Sequence, residues 1–296
     1  MAGVVALWSF IPVLAKIVMR TFDPFTLAFL RLSQGTLVCA LLYVLRGGTL
    51  RALLRMDKWI AVGMAGLSVN YIFFALSLSL TSASAGTLIV QSQIVILAVL
   101  ASVFLKESLP PWKLGGMAAV LCGVMLVVAT RGDIDKMLDP NASTGNILMI
   151  VAAAGWAVYA LSNRALMNRR SSLEILVPIM GLSAILTGLI AATRFQLHAP
   201  IVFPTVAAVV VLGSLSTGIS FYLLSEGFKR LSAALGGMVT SLTPLSSMLL
   251  AGWILHERLG WQVLGAAALI VSGILCSAFA ERKAPPSEQG VLRRGR

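Results

Sequence analysis

Long apolar runs interrupted by charge, proline or glycine dominate the chain. They fall at about 2–19, 24–45, 59–80, 83–105, 111–130, 145–167, 173–193, 202–225, 231–255 and 260–280. Each is close to the twenty or so residues that an α-helix needs to cross a bilayer, so the pattern predicts an all-α membrane protein of ten transmembrane helices with short loops. Proline sits near a first helical turn at Asp23-Pro24, Pro110-Pro111 and Pro204, where its missing N–H does no harm. Arg46-Gly47-Gly48 and Arg131-Gly132 mark helix ends. The first run lacks a charged leader region, and Ala15-Lys16-Ile17 is no small-x-small cleavage site, so it reads as a span and not as a signal peptide. Residues 282–296, with Pro285-Pro286 and Arg293-Arg294, read as a basic tail.

Composition leaves little for anything but the spans. The chain is 58% hydrophobic and 11% charged, with mean hydropathy +0.92, whereas soluble domains are about 45–50% apolar and about 25% charged. If the N-terminus is cytoplasmic, sixteen of the 23 Lys and Arg fall on the cytoplasmic side, among them Arg46, Arg51, Lys106, Arg164, Arg169 and Lys229. Six fall outside, and Arg31 lies within the second span. That asymmetry predicts both termini in the cytoplasm, and it accounts for the net charge of +12 by topology and phospholipid contact without nucleic acid. Cys39, Cys122 and Cys276 sit in apolar runs and read as packing residues. His198 and His256 are far apart, with no HExxH or CxxC spacing for a metal. No GxxxxGK[ST] loop binds nucleotide phosphates, and no nucleophile converges on a base. A cofactor and an enzymatic activity are therefore not expected.

Displaced by 150 residues, the chain matches itself without a gap from 81–126 to 231–276. Gly86 falls on Gly236, Glu107 on Glu257, Gly115 on Gly265 and Gly123 on Gly273. An offset near 148 sets Trp8 on Trp156 and Lys16 on Arg164. The halves are 1–131 and 144–281, five helices each. An odd number of spans per copy makes the second copy enter from the opposite side, and such inverted repeats are typical of transporters whose substrate site lies between the repeats.

The paired runs "SASAGTLIV" and "SAALGGMVT", "VFLKESL" and "WILHERL", with the Gly-rich helix after each, resemble the tandem EamA domains of the drug/metabolite transporter superfamily. The openings "LWSFIPVLAK" and "DPFTLAFLRL" resemble that family's first two helices, with Arg31 at its usual arginine position. Within the family, the sequence is most similar to YddG-type amino-acid exporters. The resemblance implies a transporter, and the amino-acid substrate class rests on it alone. In one respect the chain departs from the family pattern: the mid-helix proline is Pro244 in the second half, but Ile94 stands at the equivalent place in the first. The fourth span thus has no proline to kink it, and Gln91 and Gln93 supply polar groups there instead.

Candidate substrate contacts lie on common helical faces. These are Trp8, Pro12 and Lys16 on the first span; Asn70, Phe74 and Ser77, with neighbouring Tyr71, on the third; Ser84, Thr87 and Gln91 on the fourth; Trp156, Tyr159 and Asn163 on the sixth; and Thr217, Phe221 and Ser225 on the eighth. Polar groups face hydrocarbon only at high cost, so these stripes should point inward. Two other readings compete: small hydroxyl residues gluing helices together, and Trp8 and Trp156 sitting in an interfacial belt. On the ninth span Pro244 removes the bond to the Thr240 carbonyl, where Gly236, Gly237, Ser241 and Thr243 already thin the helix. Pro12, Gly236, Gly237 and Pro244 are the candidate hinges. All eleven acids lie at or beyond span ends, and only Glu226 approaches a span interior, which disfavours proton-coupled cation exchange.

The combined expectation is an inner-membrane exporter of small amphipathic metabolites, amino acids among them, acting from a neutral, aromatic-lined, amide-bearing cavity by alternating access. Nucleotide-sugar or multidrug transport is the alternative within the superfamily. Reporter fusions at Arg296 and in the 131–144 loop should give cytoplasmic and external signals respectively; like signals at both positions would rule out the inverted repeat. Asn163→Ala should weaken all zwitterions alike if that amide binds their shared backbone, which uptake competition among amino acids of different size would measure.

Overall fold

The computed structural model describes residues 2–80, 86, 89–129, 143–167, 169–229, 233–246 and 261–283. Its helices are α1 (Ala2–Ser9), α2 (Ile11–Met19), α3 (Pro24–Leu45), α4 (Leu50–Leu53), α5 (Lys58–Leu80), α6 (Ser92–Leu105), α7 (Pro111–Ala129), α8 (Ser143–Leu166), α9 (Ser172–Arg194), α10 (Phe203–Phe228), α11 (Ala233–Thr240) and α12 (Trp261–Lys283). Among the described residues there is no β-strand, only an isolated bridge between Phe22 and Leu197. Six stretches of the described residues are long and apolar enough to cross a membrane: Ala2–Met19, α3, α5, α8, α9 and α10. The apolar stretches of α6, α7 and α12 are shorter. Ser84, Thr87 and Glu257 lie outside the described residues.

Local chemistry sets the boundaries where the punctuation placed them. The Asp23 carboxylate accepts from the backbone N–H of Phe25 (2.9 Å) and Thr26 (3.0 Å), with Pro24 in the first turn of α3. Ser171 and Glu174 form a reciprocal capping box at α9. The first span departs from a single helix. It breaks at Phe10, so that Pro12 occupies the first turn of α2, where proline is tolerated, and not a helix interior.

The core centres on α8, whose Trp156, Tyr159 and Leu161 are buried against Leu67 and Tyr71 of α5 and Phe221 of α10. Among the described residues, helices α5 and α8 make the most extensive pairing. Gly66 and Gly155 meet at their crossing, and a Cβ on either would lie 2.7 Å from the other's carbonyl oxygen. The Asn70 amide donates to the Ala152 carbonyl (2.9 Å) and the Ser77 hydroxyl to the Gly145 carbonyl (2.7 Å), which ties the same two helices along their length. Helices α7 and α12 touch backbone to backbone as well. Gly116 lies against Gly273, and Gly123 lies against Ala266. Each of these contacts maps onto the other under the 150-residue displacement, the form of a contact made by two copies across a twofold axis. Outward faces carry Leu37, Leu41 and Val44 on α3, Ile185 and Leu189 on α9, and Leu264, Leu275 and Phe279 on α12, an apolar exterior suited to lipid.

A Cβ at Gly66 would meet rigid backbone, whereas one at Gly115 would meet nothing within 4 Å. Gly66→Ala should therefore destabilise the bundle by about 1–3 kcal/mol and Gly115→Ala should not. Melting of the two purified variants in one detergent checks this, with a lowered midpoint expected for Gly66→Ala alone.

Candidate functional site

Three irregular segments open the middle of the bundle. Ahead of α6 the chain turns at Val90–Gln91, with Gln93 N–H bonded to the Val90 carbonyl (3.1 Å) and Ile94 N–H to the Gln91 carbonyl (3.0 Å), both three residues back. At the end of α11 it turns at Ser241, whose N–H bonds three residues back to Met238 (3.1 Å). Gln91 and Ser241 are equivalent under the displacement of 150. The two turns therefore fall at equivalent places although Ile94 stands where the second half has Pro244, so the turn in the first half forms without proline. At Pro244 the expected exposure of the Thr240 carbonyl is not what occurs: the Thr243 hydroxyl donates to it at 2.7 Å, in place of the amide that proline lacks.

The third segment is a π-helical stretch of α10, Val211–Ile219. Wider winding there frees backbone groups to bond outside the helix. The Trp8 indole N–H donates to the Ser216 carbonyl (3.2 Å) and the Ser220 hydroxyl (2.8 Å), and the Ser216 hydroxyl donates to the Leu7 carbonyl (3.1 Å). The Tyr71 hydroxyl donates to Thr217 at 3.2 Å. These bonds hold α1, α5 and α10 around one space.

That space is a cavity of about 140 Å³ lined by residues of both halves. Trp8 and Trp156, equivalent in the repeat, meet edge to face with centroids 5.2 Å apart. Phe221 packs edge-on to Trp156 (5.4 Å) and lies 6.1 Å from Trp8 and 6.3 Å from Tyr71. The tryptophans thus form an interior wall instead of an interfacial belt. Asn70, Phe74, Leu78, Val90, Gln91, Gln93, Thr240, Thr243 and Pro244 complete much of the lining.

One lining residue makes the cavity other than neutral. Arg31 of α3 is 7% exposed, with its guanidinium 4.7 Å from the centroid of the Tyr71 ring. Its Nε has no hydrogen-bond partner, and no carboxylate of the described residues pairs with it. Asp23, earlier on the same helix, is committed to capping. An ionisable residue within a span is a signal of function in itself, so Arg31 could have been singled out as a cavity residue from its position alone.

The candidate residues divide cleanly by position. Trp8, Asn70, Tyr71, Phe74, Gln91, Trp156, Phe221 and Thr243 line the cavity, and so does the hinge candidate Pro244. Tyr159, Asn163 and Ser241 are fully buried and do not. Tyr159 packs behind the wall, 5.2 Å from Trp156 and 5.5 Å from Phe221. The Asn163 amide lies a turn further on and donates to Tyr159 (3.0 Å) and Ser225 (2.8 Å). One stripe of α8 thus passes from cavity to core, with Phe221 packed on Tyr159 and Ser225, one turn further along α10, bonded to Asn163. Gly236 lies against the Phe228 ring, and Gly237 belongs to α11. Glu226 pairs with Lys229 at 2.7 Å, away from the cavity. At one end of the bundle Arg164 joins Glu107 (3.5 Å) to the Phe228 carbonyl (2.8 Å), linking the ends of α6, α8 and α10.

A model of the EamA-like transporter family matches residues 1–129 and 143–279. The chain is 27% identical over 293 residues to Uncharacterized inner membrane transporter YhbE of Escherichia coli (strain K12), an alignment covering 93% of this chain and 88% of that protein. It is 23% identical over 273 residues to Uncharacterized transporter YyaM of Bacillus subtilis (strain 168), covering 90% and 88% respectively. A crystal structure with TM-score 0.82 and 23% identity, covering 95% of this chain and 96% of that one, has the same fold.

Thr243→Val removes the hydroxyl bond to Thr240 and should cost about 1 kcal/mol of stability. In a Pro244→Ala background the restored amide can take over that bond, so the same change should cost less. A double-mutant cycle on thermal stability measures the coupling; equal effects in both backgrounds would show that the two positions act independently.

Proposed function

The chain belongs to the EamA-like transporter family, and on that premise we propose that it exports small amphipathic metabolites, amino acids including aromatic ones, across a bacterial inner membrane by alternating access. The observation that carries this reading is the aromatic wall of Trp8, Trp156 and Phe221 inside a cavity bounded by breaks in both halves. Broken helices that line a cavity between repeats are where transporters of such folds hold substrate. We take the halves, 1–131 and 144–281, as five-helix repeats of opposite orientation with both termini cytoplasmic. The paired contacts of α7 with α12 support that arrangement. The inner-membrane location follows the Escherichia coli relative, which is named an inner membrane transporter.

Chemistry favours this class over its rivals. A nucleotide sugar would need several cations for its phosphates, and Arg31 is the one cation among the described lining residues. A cationic drug would meet Arg31 and, among the described residues, no lining carboxylate. An amino acid fits with its apolar side chain against the rings and its polar end toward Asn70, Gln91 and Thr243.

Alternating access requires the break on α11 to flex. Pro244→Ala restores a backbone donor and should slow transport while folded yield stays normal or improves; unchanged transport at wild-type protein levels would make the turn merely architectural. Recognition is tested with Trp156→Ala in proteoliposomes. Loss of one ring partner is worth roughly 0.5–1.5 kcal/mol beyond buried area, so affinity for phenylalanine and tryptophan should fall about two- to tenfold more than for alanine and serine. An equal loss for all four amino acids overturns the assignment of the aromatic wall to the side chain.

A further inference from the structure

Among the described residues, Arg31 is a cation without an anion. It sits seven residues in from Pro24, roughly 10 Å along the helix axis at 1.5 Å per residue. A guanidinium does not give up its proton in a protein, so the charge cannot be relieved by neutralisation as a buried lysine's can. Burial of a charge with neither a counter-ion nor a full set of hydrogen bonds is costly. The one compensation among the described residues is the face of the Tyr71 ring, 4.7 Å from the guanidinium, and Nε makes no hydrogen bond. The Tyr71 hydroxyl is itself directed to Thr217. The guanidinium also borders the cavity, within the same lining as the aromatic wall. What is missing beside it is what the planar fork of an arginine binds best, an oxyanion held by paired N–H donors.

We propose that Arg31 is the anion-recognition residue of this cavity and that the substrate enters with a single carboxylate bound to its guanidinium. A monoanion matches the one positive charge among the described lining residues, whereas a dianionic phosphate would bring an uncompensated charge of its own. The rings of Trp8, Trp156 and Phe221 then take the apolar body of the same molecule. The inference rests on the cavity being the transport site, as proposed above, and it selects among amphipathic metabolites: carboxylates are accepted, and amines lacking a carboxylate are rejected. Tyr71 is a positioning residue here, because its ring lies 4.7 Å from the guanidinium and holds it at the cavity wall.

The test uses the purified full chain in lipid nanodiscs, with binding read from intrinsic tryptophan fluorescence, and three probes that share a phenyl ring: 3-phenylpropionate, phenylethylamine and phenylalanine. Wild-type protein should bind 3-phenylpropionate and phenylalanine at least about tenfold more tightly than phenylethylamine, the range expected for hydrogen bonds to a charged group. Arg31→Gln should erase that preference. Arg31→Lys, which keeps the charge but loses the fork and the stack, should restore it only in part. Equal binding of 3-phenylpropionate and phenylethylamine by the wild type overturns the inference, as does a preference that survives in Arg31→Gln or no binding of 3-phenylpropionate at all. Should Arg31→Gln fail to fold, the wild-type series decides alone. Benzylphosphonate separates the anion classes: binding tighter than 3-phenylpropionate would overturn the choice of a carboxylate. The proposed amino-acid export fails separately. If 3-phenylpropionate binds through Arg31 but phenylalanine is not transported, that proposal falls and the role of Arg31 stands. If proteoliposomes transport phenylalanine and phenylethylamine alike, export stands and the role of Arg31 falls.

Discussion

The spacing between α5 and α8 governs the rest of the molecule. In lipid, helices gain little by hiding apolar side chains from a medium that is equally apolar, so close van der Waals contact and interhelical hydrogen bonds hold them together. Gly66 and Gly155 make that contact possible by bringing backbone against backbone. The consequences are local and specific. A Cβ at Gly155 would meet the backbone of Asn70, and one at Gly66 the backbone of Tyr159. The glycine crossing thus sets Asn70 and Tyr71 at the level of Trp156, and the cavity opens between these residues. A wider crossing would move Tyr71 away from Phe221 and change the position of Arg31, whose guanidinium follows the Tyr71 ring.

Around that crossing the structure tolerates irregular backbone only where polar groups find partners within the protein, as the bilayer demands. The turn before α6 uses bonds three residues back, the end of α11 uses the Thr243 hydroxyl, and the π-helical stretch of α10 uses the Trp8 indole. Each irregularity also contributes to the cavity or its frame. Proline occurs at one of the two equivalent breaks, and the other forms without it. A transporter needs segments whose hydrogen bonds can be exchanged at low cost, and side-chain donors such as Thr243 supply such exchange.

Charges follow the same logic from the other direction. Acids of the described residues cap helices, as Asp23 does, or pair near bundle ends, as Glu107 and Glu226 do. Among the described residues the cavity lining therefore carries the charge of Arg31 and no acid. At one end of the bundle Arg164 gathers Glu107 and the Phe228 carbonyl, so that three helices share one charged contact at that surface.

Much of this was legible in the linear pattern. Apolar runs and prolines located the helices, because span length and the missing proline N–H are local properties of the chain. The identity of Glu107 with Glu257 and of Gly123 with Gly273 disclosed the repeat. Helical spacing gathered Trp8, Asn70, Phe74, Trp156 and Phe221 in advance, since residues a turn apart share a face. Other features depend on neighbours far away in sequence. Tyr159 and Asn163 lie on the same stripe as Trp156, yet only Trp156 borders the cavity, while Tyr159 packs behind Phe221 and the Asn163 amide is taken by Tyr159 and Ser225. The break at Val90–Gln91 has no proline to announce it. Arg31 was visible as a charge inside a span, but the want of a counter-ion depends on where every other side chain ends up. Helix existence and facing are fixed by the order of residues, through local sterics and periodicity; what borders an empty space, and with what charge, is decided only when distant helices close around it.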